Sequence, residues 1–179
     1  MQKPNGYDTT TPQSGMIEYP EAGPIKCIII AAKTEISSNG NEMLVLDLDI
    51  HEGKFAGFYA RKFNNDEREN KRWQLKHYRL TNEENVGRLK GDIKAIEESN
   101  PGFIFDFNES SLVNKVVGCN LREEEYLNSK GEIKSSLKPV YLFPLKDILK
   151  QKHLSKKEVK EKTDSEIIEN VVSNNNLPF

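Results

Sequence analysis

Twenty-six residues in the first half of the chain carry its densest mixture of cations and rings. The stretch KFAGFYARKFNNDERENKRWQLKHYR (residues 54–79) holds Lys54, Arg61, Lys62, Arg68, Lys71, Arg72, Lys76 and Arg79. Interleaved with them are Phe55, Phe58, Tyr59, Phe63, Trp73 and Tyr78. Cations follow a phosphate backbone and flat rings stack on unpaired bases of any sequence, so this mixture suits single-stranded nucleic acid. Phe55, Phe58 and Tyr59 cannot all face solvent, because part of a domain core has to come from them. The candidate contact set is Lys54, Phe58, Tyr59, Arg61, Lys62, Arg68, Lys71, Arg72, Trp73, Lys76, Tyr78 and Arg79.

Catalytic patterns are missing. There is no GxSxG elbow, no phosphate-binding P-loop and no HExxH. Asp47 and Asp49 lie two apart on one face of an expected strand, where they could ligate a metal and support a nuclease. A solvated sheet face accounts for them as well, and REEEY (residues 122–126) reads as a solvated strand end. The cysteines, Cys27 and Cys119, sit in apolar strand-like runs, and His51, His77 and His153 are scattered. This pattern points to buried thiols in a reducing compartment and against a zinc site. The residues favour a binding protein without a cofactor over an enzyme.

The elements that would position these groups follow from periodicity. PIKCIIIAAK (residues 24–33) is rich in β-branched residues and predicts a strand. Asn39-Gly40 predicts a hairpin turn. In MLVLDLDI, Leu44, Leu46, Leu48 and Ile50 alternate with Val45, Asp47 and Asp49, which predicts a half-buried strand. After HEGK, the run FAGFYARKF (residues 55–63) predicts a third strand and completes a meander. Residues 64–81 read as charged and irregular. Val86, Leu89, Ile93 and Ile96 recur at helical spacing, with Thr81 or Asn82 as the cap and Asn100-Pro101-Gly102 as the stop. FIFDF is expected to be a short extended segment.

LVNKVVGCNLREEEY (residues 112–126) predicts a strand with Val117, Cys119 and Leu121 on one face. IKSSLKPVYLFPL returns as the last strand, with Pro139 marking an edge. Three strands, a helix and two strands is the order of the OB-fold, a small partly open Greek-key barrel. The expected fold class is therefore mainly β, a five-stranded OB-fold barrel with a helical insertion between strands 3 and 4. Gly57 and Gly118 are expected to bend its strands.

The chain has 179 residues, 36% hydrophobic and 30% charged, with a formal net charge of −2. Bulk charge does not attract nucleic acid, so a local patch has to. The expected organisation is an N-terminal arm (1–22), the nucleic-acid-binding domain (23–149) and a mobile tail (150–179). No apolar run reaches the length of a membrane span. The opening residues lack the apolar core of a signal peptide, which gives the expectation of a cytoplasmic location.

Past Lys162 the tail has no Lys or Arg, keeps Asp164, Glu166 and Glu169, and ends in SNNNLPF. This ending resembles the C-terminal tip of bacterial and phage single-stranded DNA-binding proteins. The resemblance implies that Leu177, Pro178 and Phe179 recruit replication or recombination partners through the ring and the terminal carboxylate. Asn174, Asn175 and Asn176 stand where that family usually has aspartates, which implies weaker charge-driven docking. From about Tyr7 to Leu149, the segments GNEMLVLDLDIHEGKFAGFYARKF, IEESNPGFIFDF and LVNKVVGCNLREEEY are similar to a family of small phage and prophage proteins of Gram-positive bacteria. That family implies an OB-fold protein that coats single-stranded DNA during replication or recombination in the host cytoplasm, and a homo-oligomer is among the expected partners. A second expectation is an OB-like adaptor that chiefly binds protein in a phage recombination or replication complex. Affinity for nucleic acid separates the two.

Overall fold

A computed structural model describes residues 3–9 and 18–159. Five strands form one antiparallel sheet: β1 (Gly23–Ile36), β2 (Glu42–Ile50), β3 (Lys76–Leu80), β4 (Val116–Leu127) and β5 (Ile133–Phe143), in the order β3-β2-β1-β4-β5. A short helix α1 (Phe58–Asn64) precedes β3, and the longer α2 (Val86–Ser99) lies between β3 and β4. The sheet is open. Its edge strands β3 and β5 approach one another without forming a ladder, so the expected five-stranded barrel does not close.

The alternation read in β2 sets the core. Leu44, Leu46, Leu48 and Ile50 are buried together with Cys27 and Ile29 of β1 and Val117, Cys119 and Leu121 of β4. Ile96 and Ala95 of α2 close this core, and Leu89 and Ile93 pack at its margin. Val86, the first residue of the expected stripe, faces solvent. At the other end of α2, Asn100 Nδ2 donates to the carbonyls of Ile96 and Val116, each at 2.7 Å, and its Oδ1 accepts from Val116 N–H at 3.1 Å. One side chain thus caps the helix and fixes where β4 begins. Both cysteines are buried and free; burial and a hydrogen bond to Cys27 push the Cys119 thiol above its ordinary pKa.

Three local expectations change. First, FAGFYARKF is not a strand. Gly57 adopts a positive φ of 68° and starts α1. The spacing of Phe55, Phe58, Tyr59 and Phe63 also fits one helical face, which the run of rings concealed. Second, the third strand lies in the stretch read as irregular. Its inward side chains are His77 and Arg79, which a search for apolar alternation passes over. Third, Asp49 is not on a wet face. It is buried, and its carboxylate accepts from the N–H groups of Ile50 (2.8 Å), Tyr59 (3.0 Å) and Ala60 (2.9 Å). Two of these are the orphan donors of the first turn of α1.

Gly118, expected to bend β4, pairs in regular register with Lys26 and Phe143, and its missing side chain makes room for the Phe143 ring. A Cβ placed there would stand 2.2 Å from the Phe143 ring of β5. Bulges between Ile29 and Ala31 and between Asn120 and Leu121 add curvature. FIFDF runs as a loop, with Phe105 N–H bonded to the Glu97 carboxylate at 2.9 Å. Past Lys150 the chain stays on the domain as far as Val159. Lys157 N–H donates to Glu123 O and Glu125 N–H to Lys157 O, both at 2.9 Å, extending the sheet by one rung beside β4.

Candidate nucleic-acid interface

Strand β3 places its residues on two sides. His77 and Arg79 point toward α2, where Arg79 Nε donates to Asp92 Oδ2 at 2.6 Å and His77 Nε2 lies 2.8 Å from the same oxygen. Burial opposes ionisation of Asp92, but the hydrogen bonds from His77 and Arg79 outweigh it and hold the carboxyl below its ordinary pKa. The cluster locks β3 to the helix. Lys76 and Tyr78 take the opposite side and face a groove.

That groove encloses about 1100 Å³. One wall is α1 and β3 with the segment before β3, which contribute Phe58, Tyr59, Lys62, Arg68, Arg72, Trp73, Lys76 and Tyr78. The other is the β4–β5 hairpin, with Glu123, Tyr126, Leu137 and Lys138, and residues Tyr19–Ala22 join the lining. The two walls face each other because the open sheet curls its edges together.

The sequence-derived candidates divide accordingly. Phe58, Tyr59, Lys62, Arg68, Arg72, Trp73, Lys76 and Tyr78 are brought to the groove, whereas Lys54, Arg61, Lys71 and Arg79 are not part of its lining. Each of these four is engaged elsewhere. Lys54 pairs with Glu18, Arg61 donates to the Ala56 carbonyl at 2.6 Å, and Lys71 sits 4.8 Å from the Phe63 ring centroid. Arg79 belongs to the Asp92 cluster. Leu177, Pro178 and Phe179 lie outside the described residues.

Within the groove the rings differ in availability. Tyr59 is buried, and burial pushes its phenol well above the ordinary range. Phe58 is half-buried and meets Tyr59 edge-to-face at 5.2 Å. Trp73, a candidate stacking ring, is half-buried against the core; its Nε1 donates to Leu48 O at 2.7 Å and its ring lies 5.5 Å from Phe63. Tyr19, Tyr78 and Tyr126 are 57%, 52% and 47% exposed.

The cations differ too. Arg68 is forked onto Asp66, Nε to Oδ1 at 2.8 Å and Nη2 to Oδ2 at 2.6 Å, and these bonds hold the Asp66 carboxyl down to about 2. Lys76 pairs with Asp47 at 2.8 Å, so both aspartates once considered for a metal already have partners in the fold. Lys62 lies 5.4 Å from the Tyr19 ring and 5.9 Å from that of Phe58.

Sequence reasoning missed Tyr19, Tyr126 and Lys138. The alternation of β4 and β5 placed the two latter on a hairpin, but nothing local says that a hairpin beyond residue 120 folds back over residues 58–78. No protein-family model matches this chain. No curated protein is similar enough to it to count as a relative.

Proposed function

We propose that this protein binds single-stranded DNA in the groove between the α1–β3 wall and the β4–β5 hairpin, as a coat during phage replication or recombination. The observation that carries the reading is the lining itself: exposed tyrosines and basic side chains from three separate parts of the chain converge on one open cleft. Rings for bases and cations for phosphates, without a helix placed to enter a duplex groove, match a single strand better than a double one. The strand order, the helix between β3 and β4 and the approach of β3 to β5 support an OB-fold ancestry for this sheet. No bond is made or broken; binding is stacking plus charge. Recruitment of replication or recombination proteins through Leu177, Pro178 and Phe179 belongs to the same reading and rests on the resemblance of those residues alone. Titration of a labelled oligothymidine, with a duplex of equal length as competitor, tests the function. Tight binding of the single strand with weak competition by duplex is expected. No binding, or equal competition, would overturn it.

A further inference from the structure

We infer that the groove selects its ligand by the bases of an unpaired strand, stacked on Tyr19, Tyr78 and Tyr126, and that phosphate charge contributes through only Lys62, Arg72 and Lys138. The inference rests on the proposed function and narrows it, from an electrostatic coat to a stacking-driven one. It follows from which groups are already satisfied.

Five cations line the groove, and two of them are spoken for. Arg68 has the Nε–Nη2 edge of its guanidinium on Asp66, and Lys76 is held by Asp47 in a half-buried pair. A phosphate at either one meets a cation whose charge an aspartate already offsets, so it gains little net attraction there. Lys62, Arg72 and Lys138 make no ion pair among the described residues. Glu21 and Glu123 also face the groove and oppose a polyanion; Glu123 is partly offset by Lys156 at 3.1 Å. The net attraction for phosphate is therefore small, in a chain whose formal charge is already −2.

The rings show the opposite balance. Tyr78 of β3, Tyr126 of β4 and Tyr19 of the segment before β1 stand around one cleft, each about half exposed. Tyr78 and Tyr126 are held in position by their strands, and Tyr19 by the Phe58 ring 5.9 Å away. Such rings have apolar surface to bury and little rotamer freedom to lose on stacking, which favours bases over backbone.

Salt dependence and a base-free strand test this together. For a single strand the slope of log K against log salt is about −0.7 per phosphate neutralised. Three unpaired cations give a slope of about −2, whereas the full set of cations in residues 54–79 would give about −6. A slope shallower than about −3 supports the inference and a steeper one overturns it. An abasic deoxyribose-phosphate strand of the same length is expected to bind at least about a hundredfold more weakly than oligothymidine; a loss of less than about tenfold would overturn it.

Alanine at Tyr19, Tyr78 or Tyr126 is expected to cost roughly 5- to 150-fold in affinity, with the thermal melt unchanged, and phenylalanine at the same positions to restore it. If all three alanine variants bind like the wild type, the tyrosines are not the stacking surface and the inference falls. Failure of oligothymidine to bind at low salt would remove the function itself. A steep slope with undiminished abasic binding would leave the function standing and remove only this inference.

Discussion

Trp73 shows how one side chain can be claimed by two roles. Its indole closes the core beneath β2 through the hydrogen bond to Leu48 O, and only part of its ring reaches the groove. Trp73→Ala is therefore expected to lower stability by about 2–4 kcal/mol, because it empties a half-filled site and orphans a buried carbonyl. Urea denaturation measures this, and a variant as stable as the wild type would return Trp73 to the free rings. Asp92 gives a pH signature. Its folded pKa lies below the unfolded value, so it contributes stability that is fully present above the ordinary carboxylate range and is lost as pH falls through the depressed folded value. Asp92→Asn is expected to cost about 3–5 kcal/mol at neutral pH, where His77 and Arg79 lose their buried partner, and less in acid. Denaturant melts at pH 7, 5 and 3 should show the two proteins converging as pH drops.

At the scale of the element, the groove depends on α1 being a helix. That helix is short and begins on a glycine with no side-chain cap of its own, so the Asp49 carboxylate reaching in from β2 is what satisfies its first turn. Asp49→Ala is expected to lose about 3 kcal/mol and to weaken oligonucleotide binding, since Phe58 and Lys62 are carried on that turn. Amide hydrogen exchange across residues 58–64 would report the loss directly; unchanged protection would show that α1 holds without its cap. The β4–β5 hairpin has a comparable dependence at Gly118, where the Phe143 ring occupies the space of a side chain. Gly118→Ala is expected to destabilise by about 1–3 kcal/mol, read as a lower melting temperature, because the ring or the strand has to shift.

For the whole molecule, binding and folding are linked. A ligand that occupies the groove clamps both walls, and those walls come from opposite edges of an open sheet. Oligothymidine at about 100 times its dissociation constant is expected to stabilise the fold by about 2.7 kcal/mol, and duplex DNA at the same concentration by much less. Thermal melts with each ligand check this; equal shifts would favour nonspecific charge.

Four strands, the long helix and most of the core could be read from the sequence, because β1, β2, β4, β5 and α2 bury apolar residues at regular periods. Leu44, Leu46, Leu48 and Ile50 announced their face by themselves. The region 54–79 was legible as chemistry but not as structure. There the inward groups are Tyr59, His77 and Arg79, and the groups that satisfy them, Asp49 and Asp92, come from the neighbouring elements β2 and α2. Polar partners leave no periodic trace, so the sequence of α1 reads as a strand and that of β3 as a loop. Composition likewise shows that cations and rings crowd this region. Which of them are free was decided in three dimensions: Asp66 and Asp47 occupy Arg68 and Lys76, the core holds Trp73 and Tyr59, and the curl of the sheet brings Tyr126 and Lys138 across from Tyr78. A cation or a ring is available only if nothing nearer has bound it, and that depends on neighbours the chain meets only after folding.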